Sequence, residues 1–213
     1  MPKLRFTISM SLDGFVAGPN QSVDNPLGVG GERLHEWVFP LRPWRAMHGM
    51  DGGEVNESSR VVEESYAGLG ATIMGRNMFG GHPGPWDAKK PWNGWWGDDP
   101  PFHHPVFVLT HHARAPLRMQ GGTTFSFVTD GIESALEQAR RAAGGRDVLV
   151  AGGAKAAQQY LGAGLVDEML LHLAPILLGS GERLFERLGD DLHGLKLART
   201  VAGRQVTHLK FER

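Results

Sequence analysis

The chain has 213 residues, 41% of them apolar, with 22 basic against 23 acidic side chains and no cysteine. That composition supplies one large core and excludes disulfides, thiolate zinc sites and thiol nucleophiles. The near-balanced charge leaves no overall field to attract nucleic acid or an anionic membrane. No apolar run approaches the roughly 20 residues needed to span a bilayer, and the opening M-P-K-L-R-F lacks a signal-peptide core, so the expectation is a cytoplasmic protein with local recognition.

In chain order, Leu4, Phe6, Ile8, Met10 and Leu12 alternate with Lys3, Arg5, Thr7, Ser9 and Ser11, which predicts a strand over 3–12. Asp13-Gly14 and Gly18-Pro19-Asn20 break it, and the glycines and prolines through Gly31 predict a long mobile loop. Residues 34–47 begin as a helix that Pro40 and Pro43 should interrupt. Asn56 or Ser58 can cap a helix bearing Val61, Val62, Ser65, Tyr66 and Leu69, which Gly68 and Gly70 end. A buried strand over 71–74 then enters Gly75-Arg76-Asn77-Met78-Phe79. Residues 80–105, with six prolines and Trp86, Trp92, Trp95 and Trp96, predict an ordered flap or a dimer surface. The alternative is that the rings cover the core.

Strands follow at 106–110 and 123–128, then a helix at 132–143, a strand at 148–151 and a helix at 154–161. Residues 166–173 and 176–178 read as strands meeting at Pro175, and 195–201 with 205–211 as a hairpin around Gly203. This order predicts one α/β domain over 1–213, with a mostly parallel central sheet flanked by helices and an antiparallel C-terminal edge.

Three strand ends carry the chemistry. Met74 leads into Gly75-Arg76, Leu109 into Thr110-His111, and Ala151 into Gly152-Gly153 at the start of a helix. Two glycines let the backbone approach an anion, and the first amides of the helix add a favourable dipole. Ligands of open α/β sheets bind beyond the carboxyl ends of the strands. If these three ends are neighbours, one crevice holds a cation, hydroxyl and imidazole groups and an anion site, as a dinucleotide requires.

In order along the chain, S-M-S-L-D-G-F-V-A (9–17), I-M-G-R-N-M-F (73–79), V-F-V-L-T (106–110), V-A-G-G-A (150–154) and V-D-E-M-L-L-H-L-A-P-I-L-L-G-S-G (166–181) resemble the dihydrofolate reductase superfamily. The resemblance is closer to the reductase-domain family of bacterial bifunctional riboflavin-biosynthesis deaminase-reductases. It implies the dihydrofolate reductase-like fold, an NADPH cofactor, a small-molecule substrate with a reducible C=N or C=O, and a homodimer. It places Gly152, Gly153, Ala154 and Lys155 at the pyrophosphate, Gly75 in the G-R segment with Arg76 and Asn77 toward the 2′-phosphate, and Thr110 and His111 beside the adenosine. Arg76 favours NADP over NAD, because a guanidinium binds phosphate bidentately. The loop 11–18 would close over the nicotinamide with Asp13-Gly14 as its hinge. Asp13 or water would supply the proton, unless Asp13 only bonds its own turn.

The departures narrow the reading. The helical acid of dihydrofolate reductases falls here at about Ser59, with Glu57, Glu63 and Glu64 the nearest carboxylates, so folate reduction is not expected. Met78 replaces the family's threonine after G-R-x. The zinc deaminase partner domain, with H-x-E and P-C-x-x-C, has no counterpart. A sugar-phosphate substrate would need cations, for which Arg33, Arg42, Arg45 and Arg60 are available, whereas the tryptophans suggest a flat apolar substrate under a lid. His103-His104 and His111-His112 lack metal-ligand spacing, so no metal is expected, and Ser180 in G-S-G lacks the nucleophile-elbow spacing. A nucleotide-binding or regulatory protein without turnover is the rival reading.

Overall fold

A computed structural model of the chain describes residues 2–186, 188–189 and 192–213. The alternation at the start becomes β1 (Leu4–Ser11), and a short β2 (Phe15–Ala17) follows. Beyond α1 (Arg42–Met47), α2 (Glu57–Tyr66) runs into β3 (Leu69–Gly75) and the single turn α3 (Arg76–Phe79). Next come β4 (Pro105–Leu109), β5 (Leu117–Arg118), β6 (Thr124–Val128), α4 (Ile132–Ala143), β7 (Asp147–Gly152) and α5 (Ala154–Gly162). The chain closes with β8 (Glu168–Ala174), β9 (Glu182–Arg183), β10 (Lys196–Ala202) and β11 (Thr207–Glu212).

Nine strands form one sheet in the order β10-β11-β8-β1-β7-β3-β4-β6-β5. The six from β8 to β6 are parallel. β11 and β10 add an antiparallel edge at one end, as expected, and β5 adds one at the other that the sequence pattern did not predict. Alternation along each strand divides the residues between two faces. On one, Leu4, Phe6, Ile73, Val148 and Val150 meet Ala135, Leu136 and Ala139 of α4 and Tyr160 of α5 in the main core. The other face is covered in two halves. Trp37, Val38, Leu41 and Val62 of α2 close the half near β1 and β8, together with Val206 beside β11. Segment 80–104 closes the half over β3, β4 and β6, where Trp86, Trp92 and Trp96 pack against Met74, Phe79, Val106, Val108 and Phe125.

Several local expectations change. Residues 13–31 are pinned by Gly18 N to Leu27 O and Val29 N to Pro19 O, both 2.8 Å, rather than left as an open loop. In place of a helix from residue 34, a short 3₁₀ turn, Gly31–Leu34, ends there and α1 begins only at Arg42. Pro43 lies in the first turn of α1, where its missing N–H costs no helical bond. Asn56 is the cap of α2, accepting from Ser59 N at 3.1 Å while Asn56 N donates to Ser59 Oγ. Residues 176–178 form no strand, because the amides of Leu178 and Gly179 go to a carboxylate instead of a neighbouring strand. No helix among the described residues is long and apolar enough to cross a membrane.

Candidate functional site

The sheet order puts β7, β3 and β4 side by side, so the three glycine- and threonine-terminated strand ends form one continuous rim. Met74 lies opposite Gly152, and Gly75 opposite Leu109. Contact at this rim is close. A Cβ on Gly75 would come to 3.3 Å from Ala156 Cβ and 3.5 Å from Gly153 N, so only a residue without a side chain lets β3 meet the β7–α5 turn freely. Gly152 has φ +128°, outside the range of L side chains, and the Gly152–Gly153 peptide is cis. Nothing lies within 4 Å of the position a Gly153 Cβ would take, so the approach to the turn is open on that side. Ala156 N and Ala157 N bond back to Gly153 O, and the two preceding amides, of Ala154 and Lys155, open the helix end toward the rim. The Lys155 side chain is exposed.

Arg76, half-buried at the start of α3, donates from Nη2 to His82 O at 2.9 Å and places its guanidinium 3.7 Å from the centre of the Trp86 ring. Asn77 is exposed beside it. Thr110 is buried, and its hydroxyl accepts from His112 N at 3.2 Å; it shapes the turn after β4, and His111 projects into solvent. Arg114, absent from the residues expected from the sequence, joins the group: its guanidinium lies 5.0 Å from the Trp86 ring and 5.1 Å from Phe127. Its donors reach Trp92 O and, at 3.0 Å, Asn93 Oδ1. Neither arginine meets a carboxylate among the described residues. Burial holds the pKa of each below the usual arginine value, and the charge of Arg114 lowers that of Arg76 further. The sequence signal was the arginine in L-T-H-H-A-R, four positions beyond Thr110.

At the end of β1, Asp13 is fully engaged. Ser11 Oγ donates to Oδ1 at 2.6 Å, Leu178 N to Oδ1 at 3.1 Å and Gly179 N to Oδ2 at 2.7 Å, while Arg183 Nη1 donates to its carbonyl at 3.0 Å. The Ser11 hydroxyl above all, helped by the two amides, lowers the Asp13 pKa to about 2. These bonds match the alternative in which Asp13 holds its own turn, tying the β1–β2 turn to residues 176–181.

α2 itself turns no acid toward His172 and His208 among the described residues, and the buried Glu168 at the amino end of β8 is taken up by Lys3, Arg5 and Lys210. Ser59 serves the helix cap, and Ser58 is the residue that faces the sheet. Glu57, Glu63 and Glu64 turn outward to Arg60, Arg42 and Arg199. In their stead lies a buried chain of polar groups: Thr7 Oγ1 to His172 Nε2 (3.0 Å), His172 Nδ1 to His208 Nδ1 (2.7 Å), and His208 Nε2 to Ser58 Oγ (2.9 Å). Trp37 packs its ring 4.8 Å from His172 and 5.1 Å from His208 and donates to Ser9 Oγ at 3.2 Å. Desolvation keeps both imidazoles neutral, His208 pushed down to about 4 and His172 well below its ordinary value. Neither histidine stood out in the sequence, since isolated histidines in strands carry no local signal.

Of the four cations considered for a sugar phosphate, Arg42 and Arg60 are ion-paired and Arg45 holds Asp51 O; Arg33 alone reaches the crevice loop, at Leu177 O, 3.5 Å away. The tryptophans likewise leave the expected lid role. Trp86, Trp92 and Trp96 pack on β3, β4 and β6, not over Asp13 and β1. His103 and His104 diverge, one to Gly121 O and the other to Thr72 Oγ1.

The family model described as the RibD C-terminal domain matches residues 2–209. Among solved structures, a riboflavin biosynthesis protein of Shewanella sp. PV-4 superposes with a TM-score of 0.57 at 20% identity, over 99% of this chain and 98% of its own. A diaminohydroxyphosphoribosylaminopyrimidine deaminase/5-amino-6-(5-phosphoribosylamino)uracil reductase of Thermotoga maritima gives 0.57 at 14% identity; the present chain is matched over 99% of its length and spans 56% of that protein. Dihydrofolate reductase of Enterococcus faecalis, solved with NADP(H) and a compound named RAB-propyl, gives 0.53 at 12% identity over 99% and 96% of the two chains. No curated protein matches the sequence. With its parallel sheet, antiparallel edge and near-complete family match, the chain belongs to the RibD C-terminal domain family and has the dihydrofolate reductase-like fold.

Proposed function

We propose that the protein is an NADPH-dependent reductase of riboflavin-pathway type, acting on the C=N or C=O of a small heterocycle or activated carbonyl compound. The observation that carries this reading is the adjacency of β7, β3 and β4, which joins the Gly152-Gly153 turn to Arg76 and Thr110 along one rim. Gly152, Gly153, Ala154 and Lys155 fit the pyrophosphate, because a side chain at Gly152 is disallowed and the space beside Gly153 is open. Gly75, Arg76 and Asn77 fit the 2′-phosphate side, and Thr110 and His111 the adenosine.

When bound, the cofactor supplies the hydride. The chain's part is to hold the dinucleotide along the rim and to fix the β1–β2 turn through Asp13, so that the substrate is presented at one distance. With Asp13 ionised and α2 offering only Ser58, water provides the proton. The same reading makes the protein a homodimer working in the cytoplasm; a monomer in sedimentation would remove the first of these. Calorimetric titration with NADPH tests the proposal, with saturable binding expected and none at millimolar concentration refuting it. The missing helical carboxylate favours one second reading, a nucleotide-binding regulator. Tight NADPH binding without oxidation across a broad panel of pyrimidine and carbonyl substrates would establish that instead.

A further inference from the structure

We propose that the segment 80–104 is part of the cofactor site, and that Trp86 and Arg114 act with Arg76 as a phosphate-monoester clamp that selects a 2′-phosphorylated dinucleotide. This rests on the reductase reading and adds two residues that neither the family match nor the strand-end pattern supplies. Arg76 comes from α3, Trp86 from the insertion and Arg114 from the segment after β4, so three distant pieces of sequence converge on one indole.

The indole is fixed from several sides. Its Nε1 donates to His112 O at 2.8 Å, and its ring meets Phe127 and Phe79 edge-on at 4.9 and 5.8 Å. The insertion is in turn fastened to α3, the turn that begins with Arg76: Trp92 Nε1 donates to Phe79 O at 2.8 Å and Trp95 Nε1 to Met78 O at 3.0 Å. A rigid aromatic face gives both guanidiniums a stacking partner and limits the rotamers they must give up when an anion arrives.

The protein groups that hold these arginines are neutral. Carbonyls of His82 and Trp92 and the Asn93 amide oxygen orient them and leave both positive charges uncompensated. Of the insertion's three acids, Asp87 accepts from Lys89 N, Asp99 lies toward His103, and Asp98 makes no ion pair with either arginine among the described residues. Two half-buried cations that repel each other and keep spare N–H donors form a site that a dianionic phosphate would relieve. Gly81 leaves the room: a Cβ there would lie 3.3 Å from Arg76 Nη1 and 3.0 Å from the Trp92 ring.

The test is calorimetric binding of NADPH, NADH and 2′-AMP to the full chain, wild type and variants, with thermal melts to verify folding. Arg114→Ala should weaken NADPH and 2′-AMP by about 10- to 100-fold, the usual worth of a charged hydrogen-bonded contact, and leave NADH within about 2-fold. Trp86→Leu should show the same selective loss and Trp86→Phe a smaller one, since a smaller aromatic face remains. Arg114→Lys, which keeps the charge and should fold where Arg114→Ala does not, should lose less. Equal losses for NADPH and NADH, or variants that melt earlier yet bind all three ligands like wild type, would make the two residues mere anchors of the insertion and overturn the proposal. Wild type binding NADH but not preferring NADPH would overturn this inference and spare the reductase reading; binding neither dinucleotide would overturn both.

Discussion

The buried His172–His208 pair makes the stability of this protein depend on acid in a way that can be calculated. Both rings are almost fully enclosed, at 6% and 1% exposure, and the groups facing them are Thr7, Ser58, Trp37, His35 and Arg199, none of them an anion. Burial pushes His208 down to about 4 and His172 well below the ordinary 6.5 of the unfolded chain. As the pH falls, the unfolded state therefore takes up protons first. The stabilisation is complete above pH 6.5 and is lost as the pH drops toward 4. Between pH 7 and pH 5 the His208 ring alone costs about 2 kcal/mol, out of a total that for most domains is about 5–15, and His172 acts in the same direction. Urea unfolding followed by circular dichroism at pH 5, 6 and 7 measures this directly. His35 and His104, both also lowered by burial, push in the same direction, so the decisive comparison is with the His172→Gln/His208→Gln double variant. Its slope against pH should be shallower than wild type by up to about 1.4 kcal/mol per pH unit for each ring. Identical slopes would refute the reasoning. Should the double variant not fold, the histidine ring resonances of the wild type report the same titration, and a ring of the pair titrating near 6.5 in the native state would contradict the burial cost.

Three other substitutions probe the crevice and the sheet. Asp13→Asn should slow turnover by loosening the contact with Leu178 and Gly179, yet leave the limbs of the pH–rate profile where they were; loss of a limb would restore Asp13 as proton donor. Gly75→Val pushes two methyl groups toward Ala156 Cβ and Gly153 N. It should cost about 1–3 kcal/mol in a melt and weaken NADPH at least about tenfold, and unchanged affinity would separate the turn from the cofactor. Glu168, buried at the amino end of β8, meets Lys3 at 3.1 Å, Arg5 at 3.3 Å and Lys210 at 3.2 Å. Glu168→Gln leaves Lys3 and Lys210 only Glu212 and Arg5 only Asp147, and should cost about 1–3 kcal/mol in urea unfolding, whereas a loss under about 0.5 would show that the cluster is solvated.

The readings that held were those that depend on neighbours in sequence. Alternation in 3–12, the helical spacing in 132–143 and the strand-to-helix glycines at 152–153 are consequences of local sterics, and each appears in the fold within a residue or two. The fold class followed from element order, since a helical crossover between strands returns the chain in the same direction and favours parallel pairing. Residues 176–178 failed for a reason outside themselves, because a carboxylate more than 160 positions away captured the amides of Leu178 and the following Gly179.

Which side chains meet was decided only by the tertiary structure. Sheet order brought the ends of β7, β3 and β4 together, placed Arg114 and Arg76 over one indole, and set His208 of the last strand against Ser58 of α2. No local pattern encodes such partners, because they are fixed by the packing of segments far apart in sequence. Asp13 shows the difference within a single residue. The sequence determined that an aspartate opens the turn after β1. The amides and hydroxyl that the fold aims at its carboxylate decided that it would hold that turn against residues 178–179.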